Sequence, residues 1–212
     1  MISGLEGVTA ALAADALDRL GLREQTMDFA LRPLRPGGVL FGRAVPVVVE
    51  PTDELPDDPY ATEMRVIDSL RPGDVPVYSV GPGVRAALWG ELFSCAAIGR
   101  GAAGAIVDGL VRDVRQIAEL GFPVFCRGTS PLDTQGRAEA RDVGVPAPCG
   151  GVLVGPGDYV VADEDGIVVV PGAVLAGVAE IVAEKARGER GARDDLLGGK
   201  TLAEVWETWN VL

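Results

Sequence analysis

Apolar residues recur with a helical period near the start of the chain. Thr9 reads as an N-cap, Ala10 to Leu20 as a helix with Leu12, Ala16, Leu17 and Leu20 on one face, and Gly21 as its stop. Val39 to Val49 is Val-rich and reads as a strand that Pro46 interrupts. An acidic, Pro-rich loop follows from Asp53 to Pro59. A helix is predicted from Ala61 to Leu70, ended by Arg71-Pro72-Gly73, then a strand from Val75 to Val80 and a loop opening at Gly81-Pro82-Gly83. Next comes an α/β unit: helix Glu91 to Arg100, short buried strand Ala105 to Val107, helix Asp113 to Leu120, strand Pro123 to Cys126. Beyond Val143 the pattern changes to short strands, Gly151 to Val154, Tyr159 to Ala162 and Ile167 to Val170. The last two flank Asp163-Glu164-Asp165-Gly166, which reads as a hairpin turn; a calcium loop would need later ligands, including a distal Glu, that are missing. Val174 to Arg187 is an amphipathic helix that Gly188 and Gly191 loosen. Leu202, Val205, Trp206 and Trp209 form a second apolar stripe, expected to dock on the body or on a neighbouring subunit. No repeat or linker divides the chain. The pattern predicts one layered α/β domain over residues 1–190 and a C-terminal helical tail over 191–212.

Composition narrows the chemistry. The 212 residues suffice for a sizeable core, and 48% apolar with 24% charged residues is a globular balance. A net charge of −12 without a basic run argues against a nucleic-acid partner. Glu6 and Asp15 precede the first basic residue, Arg19, and no apolar run reaches membrane-span length, so a cytoplasmic protein without a membrane partner is expected. Cys95, Cys126 and Cys149 lack metal-type spacing and read as free, mostly buried thiols. There is no histidine, which excludes Ser-His-Asp and Cys-His catalysis and His-ligated zinc. The two lysines, Lys185 and Lys200, both fall near the C-terminus, poorly placed for a Schiff base. Carboxylates, arginines, backbone amides and a hard metal ion remain as tools.

One constellation could use them. Twenty residues separate Glu91, at a predicted helix start, from the pair Arg112-Asp113. A ten-residue helix runs about 15 Å away from its start, and a turn and a strand return the chain. Helix N-termini and strand C-termini share one edge of an α/β layer, so Glu91, Arg112 and Asp113 should converge. Mg2+ takes one or two protein carboxylates and completes its octahedron with water and substrate oxygens. Asp113 is the candidate direct ligand, and Glu91 a direct or water-mediated one. Arg112 offers a planar fork, and the helix start at Glu91 offers free amides, for the carboxylate and carbonyl of a 2-oxo acid. A metal would then stabilise the enolate formed as the C3–C4 bond breaks. The competing structural account is a capping box at Asp113 and Gln116, a helix-dipole role for Glu91 and a surface ion pair for Arg112. Thr129 and Ser130 could line the pocket or cap a loop.

Gly90-Glu91-Leu92, the run from Gly104 to Asp113 (GAIVDGLVRD), Gly121 to Phe125 (GFPVF), Arg127-Gly128-Thr129-Ser130-Pro131, Cys149-Gly150-Gly151-Val152, Pro156-Gly157-Asp158 and the run from Asp163 to Pro171 (DEDGIVVVP) together resemble the RraA-like family. The likeness runs from about Asp15 to Pro171. It implies a single α/β/β/α sandwich of the swivelling-domain type. It also implies a class II aldolase, a lyase that splits 4-hydroxy-4-methyl-2-oxoglutarate into pyruvate with Mg2+ or Mn2+ and also decarboxylates oxaloacetate. The family's acidic residue, twenty-residue spacer and Arg-Asp pair map onto Glu91, Arg112 and Asp113, with Glu91 where Asp is usual. The resemblance further implies substrate binding by the backbone from Gly90 through Glu91 and Leu92 to Phe93, and trimers or hexamers with the site at a subunit boundary. A glutamate from the neighbour's C-terminal helix would join the metal: Glu189, with Glu184 as rival. A non-enzymatic branch of the family regulates a ribonuclease by binding it; its best-known members lack the acid after the arginine, which Asp113 supplies here.

Overall fold

The computed structural model describes residues 5, 7–55 and 57–211; Glu6, and Pro56 within the predicted acidic loop, lie outside them. In chain order the elements are α1 (Ala10–Arg19), β1 (Arg32–Pro33), β2 (Leu40–Pro51), α2 (Ala61–Ser69), β3 (Asp74–Val80), β4 (Ala87–Trp89) and α3 (Glu91–Gly99). Then follow β5 (Ala105–Val111), α4 (Val114–Leu120), β6 (Val124–Thr129), β7 (Ala138–Val143), β8 (Ala147–Cys149), β9 (Val152–Val154), β10 (Tyr159–Ala162), β11 (Ile167–Val170), α5 (Leu175–Leu197) and α6 (Leu202–Trp209).

One sheet runs β1-β6-β5-β3-β2-β10-β11, with β4 added to β5 and β7 to β2; β8 and β9 form a separate hairpin. β2, β3, β5 and β6 are mutually parallel, while β10 and β11 run antiparallel. The sheet curls around an inner core. Val75, Val77, Ile106 and Phe125 from its parallel half meet Val160, Ala162, Ile167 and Val169 from its other end. Alternation in β10 and β11 sends Val161, Val168 and Val170 outward against α1 and α5. Helices α2, α3 and α4 cover the opposite face through Val66, Ala97 and Ile117. The predicted α/β/β/α succession is therefore present, its two β layers being the two ends of one curled sheet.

The structure corrects several local expectations. Pro46 does not interrupt β2. On one edge β2 pairs with β10 over Leu40–Arg43 and with β7 over Val47–Pro51, and Pro46 sits where one partner gives way to the other. No ladder there asks for its missing N–H. On α1 the buried residues are Ala10, Ala13, Ala16 and Leu17, whereas Leu20 is exposed. The strand expected over Ala105–Val107 extends to Val111, with an irregularity between Val107 and Leu110. Strands β1, β4 and β8 have only two or three residues each, and β7 (AEARDV) is half charged, so none stood out by pattern.

Gly188 and Gly191 do not loosen α5, which continues through both to Leu197. A Cβ at Gly191 would run into the Trp209 ring, so that glycine is the notch in which α6 docks. Val205, Ala192 and Val211 bury the contact, and Trp209 Nε1 donates to Asp195 at 2.9 Å. A capping box between Thr201 and Glu204 starts α6. The hairpin turn at Asp163 holds as expected and has a second use: Asp163 Oδ2 accepts the Ala10 N–H at 2.8 Å, capping α1 from across the sheet.

Candidate active site

The parallel strands bring Glu91, Arg112 and Asp113 to one edge. β5 ends at Val111, and the Arg112 N–H bonds the Trp89 carbonyl at 2.9 Å, which ties the end of β4 to the start of α4. Trp89 itself is 1% exposed, edge-on to Tyr78 and Phe93 and stacked on Phe122; its Nε1 donates to Ser94 Oγ at 2.8 Å. Burying so large a ring fixes the strand-to-helix turn at Gly90. Gly90 is required there, since a Cβ would lie 2.6 Å from Asp113 Oδ2 and 3.2 Å from Arg112 Cγ.

Asp113 does not cap α4. It adopts the left-handed conformation, φ 57 and ψ 38, and makes no side-chain cap bond. The capping-box account therefore fails. Its Oδ2 instead accepts the Glu91 N–H at 3.1 Å and lies 3.8 Å from Arg112 Nε. Among the described residues no donor bonds its other oxygen, Oδ1. The first intrahelical bond of α3 is Ser94 N–H to the Gly90 carbonyl, so the Leu92 and Phe93 amides at the helix start are left without helical partners. The α3 start, Arg112 and Asp113 thus converge. The Glu91 side chain is not part of the cavity wall; Glu91 meets Asp113 through its backbone.

A cavity of about 350 Å3 opens beside these groups. Leu88, Trp89, Leu92 and Phe93 form its apolar wall, while Arg112, Asp113 and Asp133 bring charge. Arg112 is no isolated surface cation: its Nη1 bonds Asp133 Oδ2 at 2.7 Å, and Tyr60 Oη donates to Asp133 Oδ1 at 2.7 Å. Burial pushes the Asp133 carboxyl upward, but the Gln135 amide, the Tyr60 hydroxyl and the Arg112 guanidinium outweigh it and hold its pKa below the ordinary value. Burial, then Asp133, raises the Tyr60 phenol. Tyr60 has φ 65, so among the described residues two of the three non-glycines with positive φ, Tyr60 and Asp113, line this one cavity. Sequence reasoning missed Tyr60, Asp133 and Glu63, which also lines it. A tyrosine after Pro59 in an acidic loop was the one available signal.

Thr129 and Ser130 line a shallower hollow on the other side of Arg112 and Asp113, and Ser130 Oγ also accepts the Leu132 N–H. Asp108, inside the matching run, is a clamp: it pairs with Arg127, which reaches Asp28 at 2.8 Å, and accepts the Gly150 N–H at 2.7 Å. Within one chain neither Glu189 nor Glu184 reaches the cavity. Glu189 lies 3.7 Å from Lys185 on α5, and Glu184 is exposed on the same helix. Lys185 pairs with Asp15 and Lys200 with Asp195, both away from the cavity. Cys126 and Cys149 are buried and Cys95 is exposed, all free.

Among the described residues no three His, Cys, Asp or Glu side chains group as a metal cage. The donors present suit a hard cation held by few protein oxygens, since Asp113 keeps an uncommitted carboxylate oxygen and lines a cavity with room for water and ligand. No helix among the described residues is long and apolar enough to cross a membrane.

Comparison with known proteins agrees with this architecture. The family model described as "RraA-like: Aldolase/RraA" matches residues 9–169. A Halalkalibacterium halodurans protein named "Putative 4-hydroxy-4-methyl-2-oxoglutarate aldolase" is 34% identical over 82% of this chain and 76% of its own. Among solved structures, an uncharacterised protein from Pseudomonas syringae is 27% identical with a TM-score of 0.83, covering 95% of this chain and 94% of its own. Streptomyces coelicolor RraAS2, described as an unusual member of the RNase ES inhibitor RraA protein family, is 30% identical with a TM-score of 0.76, covering 93% and 94%. With the family model spanning the sheet, the α3 start and the Arg112-Asp113 pair, this chain belongs to the RraA-like family.

Proposed function

We propose that the chain is a divalent-metal-dependent class II aldolase that cleaves 4-hydroxy-4-methyl-2-oxoglutarate or a related 4-hydroxy-2-oxo acid to pyruvate, with oxaloacetate decarboxylation as a second activity of the same site. The observation that carries this reading is the meeting of Asp113, Arg112 and the α3 amides at one cavity. The substrate carboxylate seats on the Leu92 and Phe93 amides, where the helix start favours negative charge. Arg112, steadied by Asp133, turns its remaining N–H groups to the keto oxygen, on which negative charge grows as C3–C4 breaks. A cation, Mg2+ or Mn2+, held by Asp113 with Glu91 acting directly or through water, would supply Lewis-acid stabilisation of that charge. The Trp89 and Phe93 side of the cavity limits water around the developing enolate.

The reading includes a cytoplasmic trimer or hexamer in which the neighbour's Glu189, or Glu184 as rival, completes the metal's surroundings. A non-catalytic regulator that binds and inhibits a ribonuclease is the alternative, drawing on the likeness to the Streptomyces coelicolor protein. A coupled pyruvate assay on oxaloacetate and 4-hydroxy-4-methyl-2-oxoglutarate, with and without chelator, separates the two. Metal-dependent pyruvate release that Asp113→Ala abolishes is expected. Near-wild-type turnover by folded Asp113→Ala would remove the mechanism, and ribonuclease binding without turnover would establish the alternative.

A further inference from the structure

Once a pyruvate unit occupies the α3 end of the cavity, the polar groups left for the rest of the substrate, beside Met64 and Ala87, are carboxylates and hydroxyls. Glu63, on the first turn of α2, is only 7% exposed yet lines the cavity. Tyr60 precedes it by one turn and joins Asp133 at 2.7 Å; Thr134 follows Asp133 on the same wall. Among the described lining residues Arg112 is the one cation, and Asp133 already holds it at 2.7 Å.

We infer that, given the aldolase reading above, this wall recognises hydroxyl groups and that the substrate is a 3-deoxy-2-oxo sugar acid whose leaving fragment is a neutral hydroxyaldehyde. Glu63 accepts hydrogen bonds from its hydroxyls, and the Tyr60 oxygen, its proton already given to Asp133, and Thr134 complete the set. Ionised carboxylates accept and never donate, so substrate hydroxyls are the complementary groups. A dicarboxylate such as 4-hydroxy-4-methyl-2-oxoglutarate would instead turn its second carboxylate toward the buried Glu63, and like charges out of water repel strongly. Buried polar groups that a ligand leaves unpaired penalise that ligand heavily, which makes such a wall selective. The reaction balances without a co-reactant. The C4 hydroxyl loses its proton, the C3–C4 electron pair becomes the enolate, and C3 gains a proton, giving pyruvate and the hydroxyaldehyde.

The test is pyruvate release by the Mg2+-supplemented protein from five- and six-carbon 3-deoxy-2-oxo sugar acids, 4-hydroxy-4-methyl-2-oxoglutarate and oxaloacetate. At least a 10-fold higher kcat/KM for a sugar acid than for the dicarboxylate is expected. Glu63→Gln and Tyr60→Phe should each lower the sugar-acid value at least 10-fold more than the oxaloacetate value, because oxaloacetate has no hydroxylated tail. If Glu63→Gln does not fold, Tyr60→Phe, which deletes one oxygen, decides. A dicarboxylate cleaved as well as or better than every sugar acid, or a ratio unmoved in the folded variants, overturns the inference. Turnover of oxaloacetate without any sugar acid also overturns it and leaves the aldolase reading standing. No pyruvate from any substrate overturns both.

Discussion

Two residues at the cavity bear costs that packing alone does not explain. Asp113 sits in a left-handed backbone conformation, which aims its carboxylate back at α3 instead of at its own helix. Gly90 leaves the space that carboxylate occupies. Gly90→Ala should push the Asp113 carboxylate aside and lower pyruvate release by about 100-fold, the scale of a misplacement near 1 Å, with Tm almost unchanged; a fully active variant would show that Asp113 needs no such cradle. Glu63 bears a different cost. Burial raises its pKa, its own amide and that of Ala140 partly offset this, and the Glu139 charge adds to it. Its folded-state pKa therefore lies above the unfolded value. Stability is fullest below the unfolded value and declines as pH rises through the window up to the folded pKa. Glu63→Gln should consequently raise Tm at pH 7 and have little effect near pH 4, readable by thermal melts at both; a lower Tm at pH 7 would contradict the burial cost. Keeping an acid that destabilises the fold is what a functional wall, rather than a structural one, would require.

At the scale of elements, α5 and α6 show how one glycine can be read two ways. In isolation Gly188 and Gly191 weaken a helix. In the folded chain Gly191 admits the Trp209 ring, and the burial gained by α6 outweighs the local propensity. Gly191→Val should expel Trp209 and detach α6. The change would be seen as a red-shifted tryptophan emission and faster amide exchange over residues 202–209, while exchange in β5 and β6 stays slow. Unaltered exchange in α6 would mean that the Val205 contact alone anchors it. The same lesson holds for Pro46, Asp113 and Asp163. What each does to its element depends on which partner the tertiary fold brings alongside, a fact no local window contains.

For the whole molecule, the apolar surface left uncovered is the informative feature. Leu92 at the cavity mouth is 79% exposed, and Leu197, Leu202 and Trp206 on the C-terminal helices are 78%, 60% and 49% exposed. A subunit contact through the C-terminal helices would cover the last three of these side chains. Light scattering at micromolar concentration should give a multiple of the monomer mass, and Trp206→Asp should shift the protein toward monomer and lower pyruvate release together. A fully active monomer would exclude a neighbour's glutamate from the site.

The sequence by itself determined the bounds of the first four helices to within a residue, the Val-rich strands, the absence of histidine chemistry and the pairing of Glu91 with Arg112-Asp113, because periodicity and spacing are local or nearly so. It also carried enough matching motifs to identify the family. Only the tertiary structure decided that Asp133, itself held by Tyr60, holds Arg112, that Glu63 lines the same cavity and that Asp108 is a clamp. Those hydrogen bonds join residues 21 to 73 positions apart through the curl of one sheet. Side-chain partners at that separation are set by the register and direction of the strands, which the order of residues does not display.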